Sequence, residues 1–243
     1  MTRVVAAVFF AACSLGLFGA GVNAQESRTQ DWNAAVNYWQ AFGLMPEWTE
    51  DEKKIRDSIP EGLSLPLPPG VKELIGRSGA ALSALESANR IERCDWQLDY
   101  AKGPLLTLPH LGKGRDLARQ SLLRARVRLS EGDHSGGIAD ILAAVRLARA
   151  LGSDQVLISM LVDAAIERPA IELAAAYLPQ LNAAEQKQLQ AGWESLRAAP
   201  TLAQAMATEK KVFGGWLETQ LEQEARGKNP EESARSEEHT SEL

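Results

Sequence analysis

The chain reads as an all-α protein, an irregular stack of antiparallel helical hairpins, and three observations predict it. Apolar residues recur at i, i+3, i+4 and i+7 through most of the length, the spacing of a one-sided helix. Three capping-box patterns, Thr49-x-x-Glu52, Asn182-x-x-Glu185 and Thr201-x-x-Gln204, mark helix starts at the sequence level. No segment carries the period-2 alternation of a half-buried strand.

A first helix is expected over residues 31–44, with Val36, Trp39, Phe42 and Gly43 along one side and Pro46 ending it. The Thr49 box opens a short polar helix through Ile59. Residues 60–70 hold four prolines and two glycines and read as an extended crossing. A helix over 71–91 follows, with Leu74, Ile75, Ala81, Leu82, Leu85 and Ala88 giving the 3.6 period. Residues 93–113 break the pattern. Such a stretch is unusual in a compact domain, where connections are commonly about 4–6 residues.

Helices resume over 114–130 and 135–151, joined by Glu131-Gly132-Asp133-His134. Residues 155–178 are so apolar around their circumference that they read as the central buried helix, kinked or split at Pro169. The Asn182 and Thr201 boxes start helices to about residues 198 and 224. The last of these bears a stripe of Leu202, Ala205, Met206, Val212, Phe213, Trp216, Leu217 and Leu221, and fraying is expected after Glu222.

The N-terminus fixes the expected compartment. Arg3 precedes a run from Val4 to Val22 without a charge, and Val22-Asn23-Ala24 supplies the small residues of a cleavage site. Residues 1–24 therefore read as a secretory signal peptide, and the protein as exported, periplasmic or extracellular. Phe10-Ala11-Ala12-Cys13 loosely resembles a lipoprotein box, and membrane attachment follows only if Cys13 is lipidated. The apolar run continues past Cys13, which favours cleavage after Ala24. Cys94 is then the one cysteine left, so an internal disulfide is excluded and the fold rests on its core. Residues 25–234 are long enough for a single domain. With 26 basic and 32 acidic residues, the chain has a net charge of −6 and is a poor general binder of nucleic acid. The final segment, Arg235-Ser-Glu-Glu-His-Thr-Ser-Glu-Leu243, resembles a translated sequencing adapter and is read as an artefact.

Three groups of residues bear on chemistry. Lys113, Arg115, Arg119, Arg124, Arg126 and Arg128 form a basic run, and Arg115, Arg119 and Arg126 fall on one side of a helix. Guanidinium forks match carboxylate and phosphate, so this side is a candidate anion clamp. The commoner arrangement has such arginines packing their stems on the core and pairing with acids of neighbouring helices. The 93–113 segment holds Asp95, Trp96, Asp99, Tyr100 and His110, a candidate binding loop with an aromatic for stacking. Its plainer reading is a loop pinned to the helices by its own Trp and Leu side chains, with Cys94 a buried apolar residue. No catalytic residue is assigned: neither a Cys94–His110 nucleophile nor a metal site on His110 with Asp95 or Asp99 has a supporting pattern. Asp163 and Glu167, one turn apart, read as the salt-bridged edge of their helix. No cofactor is indicated.

The 114–151 hairpin resembles a tetratricopeptide unit on Ala125, the Gly132-Asp133 turn, Gly137, Ile141 and Ala144. It departs from that pattern at Arg128 and Arg149, and only one unit is visible where an array needs about three. The run Cys94-Asp95-Trp96-x-Leu98-Asp99-Tyr100, then Leu108-Pro109-His110-Leu111 and the arginine-rich helix, is similar to uncharacterised exported all-helical proteins of planctomycete-type bacteria. That resemblance implies compartment and fold, and brings no catalytic residue with it. The resulting expectation is an extracytoplasmic helical scaffold with a protein or peptide partner. The alternative is a small-molecule binding protein or hydrolase using the 93–113 loop and the Arg119/Arg126 side.

Overall fold

The structure, a computed structural model, describes residues 32–58 and 66–228. The expected signal peptide, Cys13 and the 235–243 tail lie outside the described residues. Within them the fold is all-α, a stack of helices with no strand. In chain order the helices are α1 (Ala34–Gly43), α2 (Glu50–Ser58), α3 (Val71–Gly76), α4 (Gly79–Ala88), α5 (Pro109–Ser130), α6 (His134–Leu151), α7 (Leu157–Tyr177), α8 (Ala183–Glu194) and α9 (Leu202–Lys228).

The centre is the α5–α6 hairpin, and this corrects the expectation that residues 155–178 would be the buried core helix. Leu117, Leu123 and Ala125 of α5 meet Ile141, Ala144, Val145, Leu147, Ala148 and Leu151 of α6, all essentially without exposure. Each large side chain so buried contributes about 1.5–3 kcal/mol. A β-carbon on Gly137 would run into Leu129 and the Ala125 carbonyl, so the two helices approach closely there. The other elements dress this hairpin. Helices α2, α3 and α4 lie against α5, α1 pairs with α4, α7 packs along α6 and α8 rests on α6. Helix α7 buries only Ser159, Asp163, Ile166, Ala170 and Leu173, while Ile158, Leu161 and Ile171 stay exposed. Its neighbours are α6, α5 and α9, and they leave part of its apolar circumference uncovered.

All three capping boxes are formed. Thr49 N donates to Glu52 Oε2 at 2.8 Å and Glu52 N to Thr49 Oγ1 at 3.3 Å. Asn182 and Glu185 close the same reciprocal pair, as do Thr201 and Gln204. Other boundaries differ from expectation. The 71–91 helix is two helices, broken at Arg77-Ser78, although its apolar set is buried as expected. Helix α5 begins at Pro109 and not at residue 114, because proline at the first helical position lacks only an N–H that the helix would leave unbonded. Pro169 neither splits nor ends α7, since Ile166, Ala170 and Leu173 hold both halves on the core. In α1 the buried side is Ala34, Ala35, Tyr38, Ala41 and Phe42, with Val36 and Trp39 exposed. Helix α9 runs through Lys228, past the expected fraying point. No helix of the described residues is long and apolar enough to cross a membrane.

Candidate functional site

The aperiodic segment is a tight connection between α4 and α5, and Trp96 is its anchor. The Trp96 indole N–H donates to the Ala150 carbonyl at 2.8 Å, and its ring stacks on His110 with centroids 4.4 Å apart. Tyr38 and Phe42 of α1 stack on the same indole at 5.8 and 6.3 Å. Asn33, which caps α1 through Ala35 N, also brackets Asp95: its Nδ2 donates to Asp95 O and its Oδ1 accepts from Asp95 N. Asp95 and Asp99 then point their carboxylates outward and cap local turns at Gln97 N and Ala101 N. His110 is 1% exposed, its Nε2 lying 3.6 Å from Asp154 Oδ2. That carboxylate already accepts from Ser159 Oγ at 2.9 Å. Tyr100 is partly exposed and hydrogen-bonds the Asp154 carbonyl at 3.4 Å.

The loop candidates therefore separate. Trp96 and His110 belong to the aromatic core, Tyr100 opens onto a recess against α9, and Asp95 and Asp99 face solvent.

The arginine-rich helix is chiefly a source of ion pairs. Arg119 pairs with Asp57 at 3.1 Å and Asp116 at 3.8 Å, and Arg115 is exposed beside the same Asp57. Arg126 is 4% exposed and sits among the buried residues of α5. Arg124 forks onto Asp140 of α6, with Nη2 reaching Oδ1 at 2.5 Å and Nε reaching Oδ2 at 2.9 Å. Arg128 adds a third bond to the same carboxylate at 3.0 Å.

Besides the recess at Tyr100, two further concave features are present, and neither is lined by the expected residues. The first is a recess of about 350 Å³ between the start of the loop, the C-terminal half of α6 and residues 195–197. Tyr38, Cys94, Arg146, Arg149 and Arg197 line it. Burial pushes the Cys94 thiol up to about 12 and the Tyr38 phenol higher still, so both are neutral at pH 7 and Cys94 is no nucleophile. Arg149 is committed to Asp163 at 2.8 Å and to Glu167, both on α7. The second is an apolar groove of about 450 Å³ between the N-terminal half of α7 and the middle of α9, walled by Leu106, Leu108, Ile158, Leu161, Met206 and Phe213. Among the described residues no group of three or more His, Cys, Asp or Glu side chains is placed to hold a metal ion.

Sequence reasoning missed Arg146 and Arg197 because neither stands in a charged run. The available signal was Arg146 and Arg149 three apart on an otherwise apolar helix, where two cations must exit on one side.

Geometry thus defines the class: the described residues form an all-α helical stack bearing an arginine-lined recess, an apolar groove and the recess at Tyr100. No protein-family model, curated protein or solved structure matches this chain.

Proposed function

We propose that the protein is an extracytoplasmic helical scaffold acting through protein contacts, with the outer side of α9 as its docking face and a second copy of the chain as the occupant. The observation that carries this reading is the stripe of Leu202, Met206, Phe213, Leu217 and Leu221, each between 41% and 59% exposed. At 100° per residue these five, with Lys210, span about 100° of one side of α9. The order is symmetric about the midpoint between Lys211 and Val212. In an antiparallel pair Leu202 meets Leu221, Met206 meets Leu217, and Lys210 lies beside Phe213. A two-fold interface requires such self-complementarity.

Size supports the same occupant. Five half-exposed side chains, with Ile158 and Leu161 at the groove edge, offer on the order of 500–700 Å² per copy. Two copies bury about 1,000–1,400 Å², at or above the threshold for a specific interface. The signal-peptide pattern at residues 1–24 supports the compartment, and the close α5–α6 contact at Gly137 supports the tetratricopeptide-like part of the reading.

Light scattering on the purified protein at tens of micromolar tests it. The expected mass is twice that of the chain, and Phe213→Asp with Leu217→Asp returns it to one chain with unchanged circular dichroism. A Met206→Cys/Leu217→Cys variant should cross-link position 206 of one copy to 217 of the other. A monomer at about 200 µM, or like-to-like cross-links, overturns the proposal.

A further inference from the structure

The arginine-lined recess lies apart from the docking face of α9 and carries an inference of its own. Its polar groups divide into those already satisfied and those with capacity left. The Tyr38 hydroxyl donates to Asn89 Oδ1 at 2.8 Å, Asn89 Nδ2 to the Ala143 carbonyl at 3.1 Å, and Ser195 Oγ to the Gly192 carbonyl at 2.7 Å. Arg149 is consumed by Asp163 and Glu167. Arg146 and Arg197 differ. Among the described residues no carboxylate oxygen lies within 4 Å of either guanidinium, and Arg146 is held at one corner only, by Ser195 Oγ at 3.2 Å.

Two guanidinium groups with open donors thus face a recess whose floor, Tyr38 and Cys94, is uncharged. Glu92 at the rim is the single acid lining it, and it is exposed. On a chain of net charge −6 this is a local reversal of sign. The remaining walls are apolar, from Ile91, Leu196 and the Tyr38 ring. Guanidinium donors beside apolar walls suit a ligand with a charged head and a hydrophobic body.

We propose that this recess binds a small organic anion, a carboxylate or phosphate ester, with its charged head on Arg146 and Arg197 and its body against Tyr38, Ile91 and Leu196. The about 350 Å³ volume admits one aromatic or short aliphatic group beside the head.

Titration calorimetry of the full chain with benzoate and with phenyl phosphate, at low ionic strength, separates the two head groups. Saturable one-to-one binding by either, with Kd at or below about 1 mM, is expected. Arg146→Gln and Arg197→Gln should each weaken it about tenfold, while Arg115→Gln, outside the recess, leaves it unchanged. Arg197 is exposed, so its variant keeps the test informative even if Arg146→Gln fails to fold. Absence of saturation below about 10 mM for both compounds, or equal affinity in all variants, overturns the assignment.

Discussion

Replacing Asp140 with alanine tests whether the arginine-rich helix is built for folding. Asp140 is 1% exposed and receives three guanidinium bonds across the α5–α6 interface, two from Arg124 and one from Arg128. Removing one partner of a buried pair costs about 3–5 kcal/mol, because the remaining charge stays desolvated. The expected cost lies at the lower end, near 3 kcal/mol, since Arg124 keeps Glu86 at 2.6 Å and Arg128 keeps Asp133 at 3.7 Å. For a chain of this size that lowers Tm by about 6–12 °C. Urea unfolding followed by circular dichroism gives the free energy directly. Arg168→Ala, which removes the exposed Arg168–Glu172 pair, provides the scale and should change stability by no more than about 0.5 kcal/mol. A cost below about 1 kcal/mol for Asp140→Ala would refute the reasoning, for the two guanidinium groups would then be solvated without their carboxylate.

Two further outcomes are expected. Gly103 has φ +50° and ψ −123°, and a β-carbon there would strike the Trp216 indole, so Gly103→Ala should release α9 from the loop. Tryptic cleavage at Lys210 and Lys211 would then speed up at least about tenfold, and an unchanged rate would sink the idea. The Glu185 carboxyl is held below its ordinary value by the Asn182 amide N–H and then by His134. A depressed carboxylate stabilises above its unfolded pKa, and that contribution fades as pH falls through the folded value. Amide exchange at Ala184 and Glu185 should therefore accelerate, beyond its intrinsic pH dependence, as pH drops below about 4.5. Glu185→Gln should flatten that response, and an identical profile in both proteins would count against it.

The sequence was most legible where the signal is local. Capping boxes at Thr49, Asn182 and Thr201 need only four residues to state their geometry, and all three formed. Periodicity likewise found the buried set of α3 and α4, Leu74, Ile75, Ala81, Leu82, Leu85 and Ala88. What it could not reveal is how many neighbours a helix has. Residues 155–178 and the stripe of α9 look equally like core, yet Leu161 and Phe213 are exposed because no described element covers that side. Ion-pair partners were equally hidden. Arg124 reaches Asp140 sixteen residues away and Glu86 thirty-eight away, distances over which spacing carries no information. The arginine recess was hidden for the same reason, being assembled from α1, the start of the loop, α6 and residues 195–197.

The aperiodic loop links these outcomes, though its conspicuous residues are not the ones at the surface of either recess. Trp96 and His110 go inward and fix the middle of the segment to Ala150 and to α1. On either side of this pinned centre, the two ends of the loop line different concavities. Ile91 and Cys94, before Trp96, border the arginine recess, whereas Leu106 and Leu108, after it, border the groove beside α9. A loop held at its centre by a buried indole thus contributes to two separate surfaces. Trp96 itself lines neither concavity and bears on both only through the positions of its neighbours. Binding at Arg146 and Arg197 and pairing through α9 should both depend on Trp96, although it lines neither site, because the same anchor sets both walls.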